Sequence, residues 1–368
     1  MRPYLYSEKY NDRSIRLTIG GPFQRELRLN FVESEGKIIV IPTGEWVDEL
    51  KIYPFAKVGS TYLRAYFENI GNYANLFTDK YGKEHFDRYF KGVESIVVFQ
   101  PTDGEPEYNL DILGKIFDRV VDDYIVEIQS NWVQRYMREQ TTRLLNEYAT
   151  DGCSIIDLGC GPNSEVFSLG KRVRLTEVDA SEVSLRRSKE MHPKAEADVK
   201  WILAEGNENF SETYDIVFSS YGFLNLEDPK KIVNILNYNL KNGGYFIGSF
   251  LNKYGLLDLF LNFVQGRGGY VRERISGKLT ANYSRYNSLS FPREPGFFDT
   301  LDGMERVSRA GVCSIIPPYN YKKLISMASK LDFIKRIDSA VGHLPILWSC
   351  SDYIIFAYRK TGAVNFRS

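Results

Sequence analysis

The feature that most constrains the fold is an alternation of short apolar runs with helical segments between Gly152 and Phe250. Such runs predict buried strands, and a helix between successive strands makes those strands parallel. The region therefore predicts a Rossmann-like, doubly wound α/β sheet that is mostly parallel. The predicted strands are Ser154–Leu158, Val173–Val178, Val199–Leu203, Asp215–Ser219 and Tyr245–Phe250.

Helix signals lie between these strands. A short helix is expected from Ser164, a longer one over Ser181–Met191, and a third from Pro229, which stands at a favoured first helical position. Beyond Phe250 the pattern weakens. Lys253–Val264 and Tyr319–Leu331 are predicted helices, and Phe333–Asp338 and Tyr353–Tyr358 are predicted closing strands, one of them antiparallel.

The first hundred residues follow a different pattern. Leu27–Val32 and Lys37–Ile41 are strand-like runs around a Glu-Ser-Glu-Gly turn, which predicts a hairpin. Two further strands are predicted over Tyr62–Phe67 and Glu94–Phe99, with a helix over Lys83–Phe90. Since 368 residues exceed what one core usually serves, two domains are expected. The polar connector Pro101–Pro106 divides a β-rich accessory domain, residues 1–106, from residues 107–368.

Composition indicates which classes of partner and cofactor are not expected. Lys plus Arg and Asp plus Glu both number 47, so no overall charge attracts a polyanion, and no nucleic-acid partner is expected. The four cysteines and three histidines show no spacing typical of a metal site, so no metal is expected. No apolar run approaches the roughly 18 residues of a membrane span, and no signal peptide is recognisable. The sequence predicts a cytoplasmic protein without a membrane partner, and it leaves a homodimer open.

The motif with most chemical content is Asp157-Leu-Gly159-Cys160-Gly161. It follows a predicted strand and leads toward a helix, at the edge where open α/β sheets bind ligands. An acidic residue, Asp179, ends the next strand and is suited to accept hydrogen bonds from two ribose hydroxyls. A helix N-cap is the competing role for Asp179.

The loop lacks the third glycine that a dinucleotide site uses to seat a pyrophosphate. Asp157 also precedes the glycines, where its carboxylate can face an ammonium group. Both points favour a nucleoside that carries an amino-acid tail over a dinucleotide.

These residues resemble the motifs of class I S-adenosylmethionine-dependent methyltransferases. The glycine loop is similar to that family's first motif, with Pro162 and Asn163 as departures. The segments 178–181, 205–210, 214–220 and 240–244 resemble its later motifs, in the family's order. The resemblance implies a class I methyltransferase domain over residues 107–368 and S-adenosylmethionine as cofactor. The cofactor-binding residues it implies are Asp157, Gly159, Cys160, Gly161, Asp179, Ala180, Asn207, Glu208, Ser219, Ser220 and Tyr124.

The same resemblance implies transfer of a methyl group to an O, N, C or S atom of a small-molecule acceptor. Residues of about 252–348 are expected to set acceptor specificity, and no catalytic residue is assigned. Tyr221 and Phe223 are positioned to line the site. His343 is one candidate for a general base, and a structural role is the competing interpretation of a lone histidine in an apolar stretch. An aromatic acceptor cavity is one interpretation of Phe291, Phe297, Phe298, Pro317, Pro318 and Tyr319, and core packing is the other.

Two other classes of function stay open. One is a non-catalytic regulatory protein that binds S-adenosylmethionine or another nucleotide. The other is a flavin or dinucleotide oxidoreductase, because the N-terminal hairpin and the segment Phe77–Gly82 distantly resemble flavin- or deazaflavin-binding split β-barrels. An accessory domain for acceptor binding or dimerisation is the competing interpretation of that region.

Overall fold

The computed structural model of the protein describes residues 14–19, 25–103, 110–193, 199–204, 210–226, 229–283, 286–318, 321–330 and 333–366. The chain divides into two compact units. The first comprises Met1–Ile112 with Arg285–Ser288, and the second comprises Leu113–Ser284 with Leu289–Ser368.

The first unit is a closed antiparallel barrel with strand order β1-β2-β3-β6-β5-β4. Its core includes Ile39, Phe77 and Val98, which are all buried. The hairpin turn between β2 and β3 places Glu35 and Gly36 at φ 52° and 77°, as a tight hairpin with the twist of its strands requires. The elements are β1 (Ser14–Ile19), β2 (Arg25–Ser34), β3 (Lys37–Val40), α1 (Trp46–Ile52), β4 (Phe55–Val58), β5 (Thr61–Asn69), α2 (Ala74–Tyr81), α3 (Lys83–Tyr89) and β6 (Ser95–Pro101).

The second unit is built on a seven-stranded sheet with strand order β14-β15-β11-β10-β7-β8-β9. Strands β7 to β11 pair in parallel, and β15 runs antiparallel to both of its neighbours. The strands are β7 (Ser154–Leu158), β8 (Arg174–Asp179), β9 (Val199–Leu203), β10 (Tyr214–Ser219), β11 (Leu240–Leu251), β14 (Leu301–Val312) and β15 (Tyr353–Phe366).

Apolar clusters cover both faces of this sheet. On one face α5 packs Val133 and Leu145 with Ile155 of β7, and on the other α8 packs Ile232 and Leu236 with Val217 of β10. The predicted doubly wound, mostly parallel sheet with an antiparallel closing strand is therefore confirmed, and so is the β-rich N-terminal region. The helices of this unit are α4 (Leu110–Ser130), α5 (Trp132–Tyr148), α6 (Glu182–Met191), α7 (Phe223–Leu226), α8 (Pro229–Asn239), α9 (Leu256–Val264), α10 (Gly268–Ser276), α11 (Lys322–Ala328) and α12 (Ile334–His343).

The structure corrects the prediction downstream of β11. Phe333–Asp338 is not a strand, because α12 occupies Ile334–His343. The strand at the sheet edge is β14, and a two-stranded hairpin of β12 (Leu279–Tyr283) and β13 (Tyr286–Ser290) precedes it.

Candidate functional site

The glycine loop follows β7 and is held against the neighbouring strand β8. Backbone N–H groups of Gly159 and Cys160 both donate to the carbonyl of Val178, at 2.8 and 3.1 Å. Gly159 and Gly161 have φ values of 71° and 62°, where residues with side chains are strained. A Cβ on Gly159 would lie 2.8 Å from Phe223 Cβ, whereas one on Gly161 would meet no atom within 4 Å. The loop therefore presents an open side at Gly161.

Asp179 ends β8 beside this loop. One carboxylate oxygen accepts a hydrogen bond from Gly161 N–H and the other from Ser181 N–H, both at 2.8 Å. Burial raises the pKa of Asp179 to about 6, so the group is mostly ionised at neutral pH. Each carboxylate oxygen can accept more than one hydrogen bond, which leaves capacity for the two hydroxyls of a ribose.

Three further carboxylates are buried beneath the loop: Asp157, Glu165 and Glu177. Asp157 and Glu177 are register partners on β7 and β8, so their side chains lie on the same face. Asp157 accepts a hydrogen bond from the Ser164 hydroxyl through Oδ2, while its Oδ1 and both Glu177 oxygens have no hydrogen-bond partner. Burial, together with the neighbouring acids, raises the pKa of Asp157 well above its usual value and that of Glu177 to about 8.

Arg138 of α5 supplies positive charge to this cluster. Its Nε lies 3.2 Å from Glu165 Oε1, and its guanidinium also donates to the carbonyl of Asn163. The other carboxylate oxygen of Glu165, Oε2, accepts a hydrogen bond from the Ser220 hydroxyl at 2.8 Å. Sequence reasoning missed Arg138 and Glu165 because neither belongs to a motif. The available signal was the closeness of Glu165 to the glycine loop in sequence.

The other residues predicted to bind the cofactor differ in burial and in their hydrogen bonds. Tyr124 of α4 is half-buried, and burial raises its pKa, with Arg138, Glu165 and Asp179 close enough to affect that pKa. Ser219 is fully buried, and its hydroxyl donates to the carbonyl of Leu158, so it joins two strands. Cys160 is buried and Ala180 is half-buried. Asn207 and Glu208 lie outside the described residues.

One face of α4 packs against the residues that follow β8 at the sheet edge. Gly114 lies against the backbone of Ala180, since a Cβ there would come within 2.0 Å of the Ala180 carbonyl oxygen. Four residues on, Asp118 accepts hydrogen bonds from Ser181 Oγ at 2.6 Å and from Val183 N–H at 3.0 Å. Because residues four apart share a helix face, α4 is held across the residues that follow Asp179.

A cavity of about 880 Å³ lies beyond the end of β10, within the size range of small-molecule sites. Tyr221 and Gly222, which follow β10, line it together with α9, α10, α11 and the start of β15. Tyr221 has an unusual φ of 48°. Its N–H donates to Ser249 Oγ at 2.8 Å, and its hydroxyl is hydrogen-bonded to Thr141 and to the Met137 carbonyl. Tyr221 is thus held rigidly between the glycine-loop edge and the cavity.

The cavity wall contains a buried charge network. Arg274 is 1% exposed and pairs with Asp258 and, at 2.7 Å, with Asp352. Burial raises the pKa of Asp352 to about 6, although Arg274 opposes this shift. Asn262 and Tyr321 add two further buried polar side chains to the wall, and Asn262 lies close enough to Tyr321 to lower the pKa of its hydroxyl, which burial raises.

The residues that the sequence suggested for an acceptor cavity do not all line the cavity in the structure. Pro318 lines the cavity. Phe298 belongs to the apolar core with Phe297 packed against it, and Tyr319 lies outside the described residues. His343 is exposed, with its Nδ1 within 2.7 Å of the Ser339 carbonyl, and it is absent from the cavity lining.

The arrangement suits a nucleoside with an amino-acid tail. The spare acceptor capacity of Asp179 matches ribose hydroxyls, and the open side of Gly161 allows close approach to the backbone. Asp157 Oδ1, a buried acceptor without a partner, matches an ammonium donor. The residues present therefore fit S-adenosylmethionine. Over the described ranges, no group of three or more His, Cys, Asp or Glu side chains is arranged to hold a metal ion.

The sheet order and the loop after β7 define a Rossmann-like methyltransferase fold. Residues 156–248 match the family model described as Methyltransferase domain. This segment is a class I S-adenosylmethionine-dependent methyltransferase domain.

The chain is also similar, at low sequence identity, to several individual proteins. The chain is 26% identical over 163 residues to the uncharacterized protein MJ1252 of Methanocaldococcus jannaschii; the match covers 44% of this chain and 58% of that protein. The N-methyltransferase NodS of Bradyrhizobium japonicum is 13% identical, with 68% of this chain and 98% of that chain covered and a TM-score of 0.42. Phosphoethanolamine N-methyltransferase 2 of Haemonchus contortus is 14% identical, with 90% and 78% covered and a TM-score of 0.43.

Proposed function

We propose that this protein is an S-adenosylmethionine-dependent methyltransferase that methylates an O, N, C or S atom of a small molecule bound beside Tyr221. The observation that carries the proposal is the joining of Asp179 to the glycine loop, through the Gly161 N–H, at the carboxyl ends of adjacent parallel strands. That is the edge at which open α/β sheets bind ligands.

The residues around the loop would bind and orient the cofactor. Asp179 accepts from the ribose hydroxyls, Asp157 faces the ammonium group, and Tyr124 covers the site from α4. Arg138, which carries the positive charge in the cluster, is suited to the carboxylate of the amino-acid tail. Bound S-adenosylmethionine supplies a sulfonium methyl group for in-line transfer.

The cavity next to Tyr221 would hold the acceptor. Tyr221 is fixed by three hydrogen-bond partners, so it offers a rigid wall between the two binding sites. Burial raises the pKa of Tyr221 well above its usual value, so its hydroxyl stays protonated and serves a positioning role. Alignment of reacting groups in a site shielded from water accounts for much of the rate in such reactions.

The decisive experiment has two stages. Calorimetry with S-adenosylmethionine or S-adenosylhomocysteine is expected to give a Kd in the micromolar range, about −8 kcal/mol. Incubation with S-adenosylmethionine and fractionated small-molecule extracts should then produce S-adenosylhomocysteine, measured by mass spectrometry, together with an acceptor heavier by one methylene. Absence of heat with both ligands would overturn the proposal.

Two alternatives give different results in the same experiments. A regulatory protein would bind the cofactor but produce no S-adenosylhomocysteine with any extract. An oxidoreductase with a flavin in the N-terminal barrel would show flavin absorbance in the purified protein. The resemblance of the barrel to flavin-binding domains stays a prediction until that spectrum is measured.

A further inference from the structure

Helix α9 has an inverted amphipathic pattern. Its polar residues Asp258 and Asn262 are 2% and 1% exposed and line the cavity. Its apolar residues Leu256, Phe260, Phe263 and Val264 are 57–70% exposed. The spacing of those four places them on one helical face. A surface helix normally buries its apolar face, so this outward face needs a covering partner.

Helix α11 lines the same cavity and continues the pattern. Its Met327 is 67% exposed and is absent from the cavity lining, whereas Leu324 lines the cavity. The two helices together with α10 therefore carry an exposed set of large apolar side chains, which we call the α9–α11 surface. It comprises Leu256, Phe260, Phe263, Val264, Ile275 and Met327, none of which lines the cavity.

Positive charge accompanies these side chains. Within residues 256–276 and 321–330 of the described chain, five cations are exposed and Glu273 is the only exposed acid. The protein as a whole carries no net charge, so the excess is local. The exposed cations are Arg267, Arg272, Lys322, Lys323 and Lys330. Arg267, Lys322 and Lys323 also line the cavity, and Lys322 lies close enough to Glu127 of α4 to lower the pKa of that acid.

Exposed apolar side chains together with positive charge favour an anionic lipid surface over a second copy of this chain. A second copy packing through the same face about a two-fold axis would bring like cations together, which opposes association. An anionic lipid surface accepts the apolar side chains and attracts the cations at the same time. We propose that the α9–α11 surface docks onto an anionic lipid membrane.

Such docking is peripheral and requires no spanning helix. In the part of the chain that the structure describes, no helix is long and apolar enough to cross a bilayer. The apolar face of α9 would enter the boundary between headgroups and acyl chains, while Asp258 and Asn262 stay on the protein side. The inference is independent of the proposed function, because it requires neither cofactor nor acceptor.

Vesicle flotation of the full chain tests the proposal. The protein should float with vesicles of phosphatidylcholine mixed with phosphatidylglycerol, and much less with phosphatidylcholine alone. Phe260→Ser combined with Phe263→Ser should lower the vesicle partition constant at least about tenfold, since two large apolar groups are lost. Arg272→Glu and Lys330→Glu, which lie outside the cavity lining, should each lower it about fivefold or more.

Tyr238→Ser is the matched control, because Tyr238 is a large apolar side chain on α8 that is 69% exposed. It should float like the wild type. All variants should keep the wild-type melting temperature, since the altered side chains are exposed. The proposal is overturned if the wild type does not float with anionic vesicles. It is also overturned if Tyr238→Ser lowers the vesicle partition constant as much as the double variant does. Sedimentation as a dimer that Phe260→Ser dissociates, without vesicle binding, would assign the face to a second copy and also overturn it.

Discussion

At the scale of single residues, β8 places two acids of opposite character two positions apart. Asp179 stands at the strand end, with both carboxylate oxygens hydrogen-bonded to backbone N–H groups. Glu177 lies beneath the glycine loop with neither oxygen hydrogen-bonded. Backbone donors stabilise the ionised form of Asp179. Burial favours the protonated form of Glu177 and raises its pKa, although the nearby Cys160 and Ser164 side chains oppose that shift. The first residue is therefore suited to ligand binding and the second to packing.

Asp179→Asn should weaken binding of S-adenosylmethionine at least about tenfold, because charge-assisted hydrogen bonds to two hydroxyls lose their anion. Calorimetry at neutral pH measures the effect. Glu177→Gln is the control. With its pKa raised to about 8, Glu177 mostly carries a proton at neutral pH, so the amide changes its charge little. Equal losses in the two variants would contradict the assignment of the ribose contact to Asp179.

Glu177→Gln should also change how stability depends on pH. Between the usual pKa of 4.5 and about 8 in the folded protein, the folded state holds a proton that the unfolded chain has released. Wild-type stability therefore falls as pH rises through this window. The variant lacks this loss and should gain on the wild type by up to about 1.4 kcal/mol per pH unit. Urea unfolding across the window measures it, and a pH-independent difference would contradict it.

Sequence motifs predicted some residues of the candidate site and not others. The glycine loop and Asp179 could be proposed from the sequence, because their proposed roles depend on position within a strand and a turn. Arg138 and Glu165 were missed because they meet only when α5 packs beside the loop, 27 residues apart in sequence. Tertiary contacts of this kind leave no local pattern.

At the scale of elements, the attachment of α4 depends on a glycine. Replacing a helical glycine by alanine usually stabilises a helix by about 1 kcal/mol. Gly114→Ala should do the opposite, because the added Cβ would lie 2.0 Å from the Ala180 carbonyl oxygen. We expect lower stability and weaker cofactor binding, since Ala180 follows Asp179 directly. Thermal unfolding and calorimetry measure both effects.

Gly269→Ala provides the control, as Gly269 is also helical and a Cβ there would meet no atom within 4 Å. It should be neutral or slightly stabilising. If Gly114→Ala behaves in the same way, α4 does not lie as close to Ala180 as the structure indicates.

The elements that were predicted correctly have strong local signals, and the others do not. The central strands β7, β10 and β11 are buried on both faces and have apolar runs. Strand β14 lies at the sheet edge, and its middle residues are charged and exposed, so it has neither a run nor an alternation. Phe333–Asp338 was predicted as a strand from a short apolar pattern. Its buried Asp338 instead accepts hydrogen bonds from Cys313, Ile315, Ile316 and Tyr136, which hold α12 in place.

At the scale of the whole molecule, we propose that residues 107–368 form an independent methyltransferase domain. The described candidate cofactor residues all lie in the second compact unit. A fragment of residues 107–368 should therefore fold and bind S-adenosylmethionine as tightly as the full chain. Circular dichroism establishes folding, and calorimetry measures binding. A folded fragment with no affinity would show that the N-terminal unit contributes to the site.

The N-terminal barrel is closed by the pairing of β1 with β4, which is short. Among the residues that the structure describes, which on this side end at Ile19, strands β1 and β4 meet through two register pairs, Thr18 with Lys57 and Ile19 with Ala56, whereas β5 and β6 share seven. Local opening of a sheet begins where the fewest cross-strand bonds must break. Amide hydrogens along this junction should therefore exchange with solvent before those between β5 and β6. Once open there, the barrel becomes a curved ribbon with two free edges, and each edge can accept an added strand.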